Sequence, residues 1–281
     1  MTAAEWRCRD HRIELGRRTL VMGVVNVTPD SFSDGGAFLD PRVAIEHGVR
    51  LVADGADLLD VGGESTRPGS DPTGVEDEID RVLPVIAGLV ERVDAPVSVD
   101  TRKAAVAAAA LGAGAAIVND ISAGADPEMF DLVADRGAGM ILMHMKGEPK
   151  TMQADPTYDD VVGEVRSFLE GRLRSAVAAG IERDRLCIDP GIGFGKTLEH
   201  NLELLRGLAS LRQVGSALMV GPSRKGFIGA LTDTEAGDRV EGTAGAVAWC
   251  AAQGVDLVRA HDVRAMVRVV RVVDAIARGA G

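Results

Sequence analysis

Eight short apolar runs recur along the chain, and each one ends at or close to a polar side chain. The runs are apolar on both faces, which is typical of strands buried in a parallel sheet. They cover residues 20–26, 57–61, 97–100, 115–119, 139–144, 186–189, 217–221 and 255–260. The polar residues at their ends are Asn26, Asp60, Asp100, Asn119, His144, Asp189, Ser223 and Arg259.

A helix-length segment follows each run. The predicted helices cover about 41–54, 75–92, 102–112, 127–136, 159–179, 198–210, 239–253 and 262–278. Two of them have a start signal, because Asp40-Pro41 and Asp126-Pro127 each place an N-cap before a proline at the first helical position. Glycines that favour a left-handed C-cap follow several of the predicted helices, at Gly55, Gly112, Gly137, Gly180 and Gly254.

Eight strand–helix units in an unbroken series predict an α/β fold, a (β/α)8 TIM barrel, as a single domain over residues 1–281. A doubly wound sheet is the competing arrangement, but the Gly-rich fingerprint of dinucleotide-binding sheets does not follow the first run. Residues 1–18 precede that run and predict a short hairpin across the bottom of the barrel. All eight strand ends would meet at one rim, where such barrels place active sites, so we expect an enzyme.

Three connections that leave the strand ends are longer than the usual β/α loop. They cover residues 28–40, 62–74 and the stretch near 223–238. We expect the first two, which are rich in Gly, Ser, Asp and Pro, to act as lids over a substrate.

Amino-acid composition and charge indicate what kind of core, partner and cellular location to expect for this protein. Hydrophobic residues make up 46% of the chain and aromatic residues 3%, so the core must be aliphatic. The net charge of −11 argues against nucleic acid or an anionic membrane as a partner. Three distant cysteines, Cys8, Cys187 and Cys250, form no metal-spaced pair, and the chain start lacks a signal-peptide pattern; we therefore expect a cytoplasmic protein.

Positive charge nevertheless collects at the strand ends. It comes from Arg67, Lys196, Arg224, Lys225, Arg259 and His261. Since the eighth strand closes against the first, Arg259 and His261 with Asn26 could bind a polyanion and its metal. The alternative is that each Arg or Lys pairs with a carboxylate on a nearby helix.

A second group suits a flat heterocycle. Asp100, Asn119 and Asp189 are natural partners for a ring edge that offers N–H donors, and such groups need partners when they are buried. The alternative for these residues is a structural role, such as Asp189 capping its own turn. In DPGIGFGK (189–196), glycines let backbone approach a flat ligand and Phe194 can lie against it. His144 between two methionines favours packing over metal binding.

At this point a family resemblance is evident. It is carried by MGVVNVTPDSFSDGG (22–36), DVGGESTRPG (60–69), VSVDT (97–101), VNDIS (118–122), LMHMKGEPKTMQ (142–153), DPGIGFGKT (189–197), SRKGFIG (223–229) and VRAHDV (258–263). In this order and placement, the motifs closely resemble the dihydropteroate synthases of the pterin-binding family. The resemblance implies a folate-pathway transferase that joins 4-aminobenzoate to (7,8-dihydropterin-6-yl)methyl diphosphate with release of pyrophosphate. It also implies inhibition by sulfonamides.

The resemblance assigns roles residue by residue. The pterin would be held by Asp100, Asn119, Asp189 and Lys225, between walls formed by Met143 and Phe194. Asn26 would bind Mg2+, while Arg259 and His261 would hold the diphosphate. Thr66, Arg67 and Ser223 would line the aminobenzoate side, and Asp30 could stabilise a methylene cation. The catalytic group would then be Asp30, Asp100, Lys225 and Arg259.

Other interpretations stay open. A methyltetrahydrofolate-dependent corrinoid methyltransferase shares the pterin-binding barrel but needs no diphosphate site. A paralogue that binds pterin without catalysis is a third possibility. A homodimer is expected from the family and from the last predicted helix, 262–278, which carries more apolar positions than one narrow stripe needs.

Overall fold

The computed structural model describes residues 4–28, 40–65, 69–215 and 217–279. It begins with an antiparallel hairpin, β1 (Glu5–Cys8) and β2 (His11–Glu14). The later strands are β3 (Leu20–Asn26), β4 (Leu58–Gly62), β5 (Val97–Asp100), β6 (Ile117–Asp120), β7 (Gly139–Met143), β8 (Leu186–Asp189), β9 (Ala217–Val220) and β10 (Leu257–Ala260). Within the described ranges, these eight pair in parallel and close a barrel in the order β10-β3-β4-β5-β6-β7-β8-β9. The predicted TIM barrel and its N-terminal hairpin are therefore confirmed.

Helices pack around the barrel. They are α1 (Pro41–Ala53), α2 (Val75–Val90), α3 (Ala104–Gly112), α4 (Met129–Arg136), α5 (Val161–Ala178), α6 (Leu198–Arg206), α7 (Leu208–Arg212), α8 (Gly226–Thr232), α9 (Val240–Ala252) and α10 (Val263–Arg278). At the start of α1 the Asp40 side chain accepts from the Arg42 amide, as the Asp-Pro signal predicts. No helix in the described part of the chain is long and apolar enough to cross a membrane.

Four details of the helix prediction are wrong. The long loop predicted near 223–238 contains α8, and the helix predicted over 198–210 is divided into α6 and α7 at Gly207. The Asp126-Pro127 signal does not cap α4, which begins after Glu128 without a side-chain cap; the Asp126 side chain accepts instead from the Ala104 amide at the start of α3 and from the Glu128 amide in its own turn. Gly112 belongs to α3 itself, and Gly114 takes the left-handed conformation after it.

Two layers of apolar side chains hold the fold together. The larger one lies between the strands and the helices, and the smaller one fills the lower barrel with residues such as Met22, Leu58 and Ile141. The hairpin closes that lower end: Trp6 is fully buried in the inner core, and its Nε1 donates to the Arg185 carbonyl at 2.9 Å. The bottom of the barrel is therefore sealed, and polar chemistry is left to the opposite end.

Strand register brings the polar residues to one level at that end. Asn26 pairs with Gly62, Gly62 with Asp100, and Asp100 with Asn119. On the other side of the barrel Met143 pairs with Asp189. The layer above the inner apolar core is consequently lined by amide and carboxylate side chains.

Candidate active site

A cavity of about 1290 Å³ opens at the carboxyl ends of the barrel strands. The predicted site residues on its wall are Asn26, Asp100, Phe194, Ser223, Lys225, Arg259 and His261. Asn119, Met143 and Asp189 are buried at the same end of the barrel but do not line this cavity. Asp30, Thr66 and Arg67 lie outside the described residues, as do most of the first predicted lid and the centre of the second.

Arg259 lies across the floor of the cavity and contacts two carboxylates. Its Nε donates to Asp60 Oδ2 at 2.6 Å and its Nη2 to Asp100 Oδ2 at 3.0 Å. Burial opposes the guanidinium charge, but Asp60 and Asp100 outweigh it and raise the pKa of Arg259. Arg259 therefore pairs with carboxylates, as the alternative interpretation expected. These carboxylates belong to strands of the site and not to nearby helices.

Asp60 belongs to the site, and its role was missed from the sequence. Its side chain is fully buried, and the same Oδ2 also accepts from Asn119 Nδ2 at 2.9 Å. The signal was a charged residue inside an apolar strand, which needs a partner when it is buried. The sequence does not show that its partners, Asn119 and Arg259, are themselves residues of the predicted site.

The two remaining carboxylates of the predicted site, Asp100 and Asp189, both have raised pKa values. Burial raises the pKa of Asp100, with Asp60 adding to the effect and Arg259 opposing it. Burial also raises the pKa of Asp189, whose Oδ1 accepts from the Gly191 amide at 2.7 Å. Asp189 therefore fills the structural role that was left open, capping its own turn through one of its two oxygens.

An apolar wall stands beside these groups. Met143 and Phe194 lie in one cluster with Ile121 and Met152, two members that were not predicted. The ammonium of Lys225 lies 4.0 Å from the centroid of the Phe194 ring. Burial, followed by the charge of Arg259, lowers the pKa of Lys225 to about 8. Met143 and Lys225, two of the residues predicted to hold a flat ligand, therefore lie beside the aromatic ring of Phe194.

His261 and Ser223 face each other on the other side of the cavity. Ser223 Oγ lies 3.0 Å from His261 Nδ1 and also accepts from the His261 amide at 3.2 Å. Burial, and then the neighbouring charge of Arg259, lowers the pKa of His261 to about 3. The imidazole is therefore neutral at physiological pH and can offer one N–H to a ligand.

Two members of the predicted positive cluster, Arg224 and Lys196, line the cavity but are already paired with other groups of the protein. Arg224 forms an ion pair with Asp262, with Nη2 and Oδ1 2.6 Å apart. Lys196 is buried, and its Nζ lies 3.0 Å from His144 Nδ1 and 2.9 Å from the Phe194 carbonyl oxygen. His144 in turn packs edge-on against Phe168, with ring centroids 4.9 Å apart, in agreement with the packing role predicted for it.

The oxygen of Asn26 is suited to a hard cation. Its side chain lines the cavity and forms no hydrogen bond with other described residues. The described part of the chain contains no cluster of three or more His, Cys, Asp or Glu side chains that could hold a metal by themselves. An amide oxygen is one of the hard donors that Mg2+ accepts, with phosphate oxygens of a bound substrate supplying further ligands. The residues present therefore fit a shared site for Mg2+ and a phosphorylated substrate.

Together these groups form two neighbouring subsites of different chemistry at the barrel mouth. Carboxylates, an amide and an aromatic wall can grip the edge and face of a flat heterocycle. Arg259, the neutral His261 and Asn26 can meet an anion beside it. Such a pair of neighbouring subsites suits a reaction in which an anionic group departs from a heterocyclic substrate.

Comparison with known proteins agrees with this geometry. Residues 22–261 match the family described as pterin binding enzyme. A dihydropteroate synthase of Synechocystis sp. is 45% identical over 265 residues, which are 94% of this chain and 92% of that protein. The dihydropteroate synthase of Yersinia pestis, solved with a sulfonamide drug, has a TM-score of 0.93 and 41% identity and covers 98% of this chain and 100% of its own.

A second solved structure adds a substrate-sized ligand. The dihydropteroate synthase of Xanthomonas albilineans with 4-aminobenzoic acid has a TM-score of 0.92 and 46% identity, covering 98% of each chain. Because the family match spans most of the sequence and the similarity extends over the whole barrel, the chain belongs to the pterin binding enzymes, within the dihydropteroate synthase family.

Proposed function

We propose that this protein is an enzyme that condenses 4-aminobenzoate with (7,8-dihydropterin-6-yl)methyl diphosphate to give 7,8-dihydropteroate and pyrophosphate. The observation that carries the proposal is the pairing of two subsites at one barrel mouth. Arg259 links them, since it contacts Asp100 of the heterocycle group and lies on the cavity wall with His261.

The pterin would enter between the apolar wall and the carboxylates. Asp100 and Asp189 can accept from the N–H groups of its pyrimidine edge, and Phe194 can lie against its ring face. The Lys225 ammonium, which lies over the Phe194 ring, can move to a pterin oxygen when the ligand binds. A pterin bound in this way would place its methylene carbon toward Arg259.

In the reaction, the bond between the methylene carbon and the diphosphate oxygen breaks, and its electron pair leaves with the diphosphate. The aminobenzoate nitrogen then bonds to that carbon and loses a proton. Arg259 and the N–H of His261 would stabilise the charge that grows on the leaving group. Asn26 would hold Mg2+, which when bound neutralises part of the diphosphate charge.

The aminobenzoate side would be formed by Ser223 together with Thr66 and Arg67, and Asp30 would act on the methylene carbon. A sulfonamide would compete with aminobenzoate for that side, because it has the same para-amino group and a negative end. The methyltransferase alternative is less suited to this site, since such an enzyme has no use for Arg259, His261 and Asn26 around an anion subsite.

Two further properties belong to the proposal. A homodimer is supported by exposed apolar residues on α10, where Val272 is 61% and Ile276 80% exposed. A cytoplasmic location is supported by Cys8, Cys187 and Cys250, which are all free and buried.

The test is product formation from pterin diphosphate, Mg2+ and 4-aminobenzoate, followed by separation of dihydropteroate. Arg259→Ala should lower kcat/KM by about 100-fold or more, since the leaving diphosphate loses its main cation. Arg174→Ala, an exposed arginine on α5, is the matched control and should retain wild-type kinetics. Absence of product with the wild-type protein, or equal kinetics in the two variants, would refute the proposal.

A further inference from the structure

Asp60 connects residues from opposite sides of the barrel mouth. It lies in β4, while its partners Asn119 and Arg259 lie in β6 and β10, each two strands away in the barrel order. One oxygen, Oδ2, accepts from both partners, at 2.9 Å and 2.6 Å. A single carboxylate therefore holds one residue of the heterocycle subsite and one of the anion subsite.

The contact fixes the orientation of the Asn119 amide. A carboxylate that faces a guanidinium only accepts hydrogen bonds, so Asn119 must turn its Nδ2 toward Asp60. Its Oδ1 is thereby turned away, and it has no hydrogen-bond partner among the described residues. An acceptor fixed in this way can receive an N–H or amino group of a heterocycle but would repel a carbonyl.

We propose that Asp60 is a positioning residue that makes Asn119 an acceptor for the amino edge of the pterin and, at the same time, holds the head group of Arg259. The inference rests on the proposed function, because it names what that ligand edge must offer. Asp60 does not line the cavity; of its two partners Arg259 does, while Asn119 is buried at the same end of the barrel. Asp60 would act on the ligand through these two partners.

The stability that is lost by burying Asp60 supports a functional role for this residue. Its Oδ1 is buried without a hydrogen-bond partner, which costs stability. Ser98 is its register partner in β5, and Ser98 Oγ is also buried and unpaired. Ser98 is therefore a control position, because its side chain holds neither Asn119 nor Arg259. A substitution at Ser98 removes a buried, unpaired polar atom at the same level of the barrel and leaves the Asp60 contacts in place.

The chemistry allows a reciprocal exchange. In Asp60→Asn, the remaining oxygen would accept from Arg259 and the new amide would face the Asn119 amide, donor against donor. Asn119 would then rotate and present N–H groups to the pterin. In Asn119→Asp, two carboxylates would face each other. In the double variant Asp60→Asn/Asn119→Asp, an amide again donates to a carboxylate, and position 119 again offers an acceptor.

The experiment measures calorimetric binding of 6-hydroxymethylpterin, a pterin without the diphosphate, and steady-state kinetics with both substrates. Each single variant should weaken pterin binding by about tenfold or more and raise KM for the pterin diphosphate. For the aminobenzoate substrate, KM should stay near its wild-type value. The double variant should bind pterin clearly better than either single variant, because the two substitutions are coupled. Ser98→Ala should match the wild type.

The results decide whether Asp60 positions Asn119 for pterin binding. Wild-type pterin affinity in Asp60→Asn, or a double variant no better than the single ones, would overturn the inference. If Asp60→Asn fails to fold in a melting experiment, the double variant measured against Asn119→Asp decides in the same way. If the wild-type protein binds pterin and forms dihydropteroate while the exchange fails, the positioning role falls and the proposed function stands.

Discussion

At the scale of single residues, the least expected group is Lys196. It is 3% exposed, and no carboxylate among the described residues lies within ion-pair distance of it. Its three N–H donors meet three acceptors: His144 Nδ1, the Phe194 carbonyl oxygen and, at 3.4 Å, the His144 carbonyl oxygen. Burial, and then the charge of Lys196, lowers the pKa of His144 to about 3, so its imidazole stays neutral and can accept. Lys196 thus fastens the end of β7 to the backbone of the residue that forms the aromatic wall.

The buried ammonium predicts a pH dependence of stability. Burial lowers the pKa of Lys196 from 10.5 to about 7. Between these values the unfolded chain binds more protons than the folded protein, so the free energy of unfolding should rise with pH, by up to about 1.4 kcal/mol per pH unit from this group. Below pH 7 both states are protonated, and the contribution becomes constant.

Lys196→Met should remove this rise. Denaturant unfolding at intervals from about pH 6.5 to about pH 9.5 measures it, and the variant should lose stability relative to wild type as the pH increases. Parallel profiles for the two proteins would show that Lys196 titrates normally.

The sequence predicted which polar residues would stand at the strand ends but not how they would be paired. In the sequence, Asp60 stands out as a strand-end acid and Lys196 as part of a positive cluster. Their partners are 199 and 52 residues away along the chain, at Arg259 and His144. Barrel closure and local side-chain direction decide such contacts, and neither is visible in residue spacing.

At the scale of elements, the Gly-rich turn after β8 controls how closely two neighbouring loops approach. Gly191 and Gly195 have φ angles of +67° and +61°. A Cβ atom at Gly191 would overlap the His144 carbonyl oxygen, and one at Gly195 would overlap the Lys146 carbonyl oxygen. Both positions therefore need glycine for conformation and for space.

Gly191→Ala should abolish tight pterin binding and destabilise the fold, because the turn must move and Asp189 caps it through the Gly191 amide. Gly16→Ala is the matched control: its φ is +85°, and a Cβ there meets nothing within 4 Å. The control should lose about 1 kcal/mol from backbone strain alone and keep its pterin affinity. Calorimetry and denaturant unfolding of both variants make the comparison, and equal losses would argue against the close approach.

The N-terminal hairpin should matter for stability and not for catalysis. Trp6→Ala removes a fully buried ring from the inner core and should cost about 3–5 kcal/mol. Its KM values should stay unchanged, because the site lies at the opposite end of the barrel. Arg12→Ala on the exposed side of the same hairpin should change stability by less than about 0.5 kcal/mol. A catalytic defect in folded Trp6→Ala would contradict this division.

The strands of the barrel were predictable to within two residues at each end, since a run that is apolar on both faces has few other uses. Breaks inside the helical segments were harder to predict. Gly207 separates α6 from α7 where a Cβ would press against Val162 of α5, a contact that exists only in the folded protein. The seven residues of α8, Gly226–Thr232, are too few to show a helical period.

At the scale of the whole molecule, apolar surface remains exposed on each of the last two helices. Val263, Met266, Val267 and Val270 of α10 are buried against the barrel, as its pattern predicts. Val272 and Ile276 are not, and Trp249 of α9 is 45% exposed. These three residues are the part of the helix pattern that the barrel does not use.

Ile276→Asp should convert the proposed dimer to a monomer, because a carboxylate would be buried in an apolar interface. Light scattering at micromolar concentration measures the mass. Val177→Asp on α5, where the valine is 43% exposed, introduces the same charge on another face and should leave the dimer intact. A wild-type protein that is already monomeric would end the dimer proposal.

The burial of Trp6 also has a spectroscopic consequence. The chain contains two tryptophans and one tyrosine. Trp6 emits from a dry environment at the sealed end of the barrel, whereas Trp249 emits from a half-exposed position on α9. Neither indole lines the cavity, so fluorescence should follow unfolding with a clear red shift from Trp6 while staying insensitive to direct contact with ligands. The protein thus carries its own reporter of barrel integrity, optically separate from the chemistry at the other end.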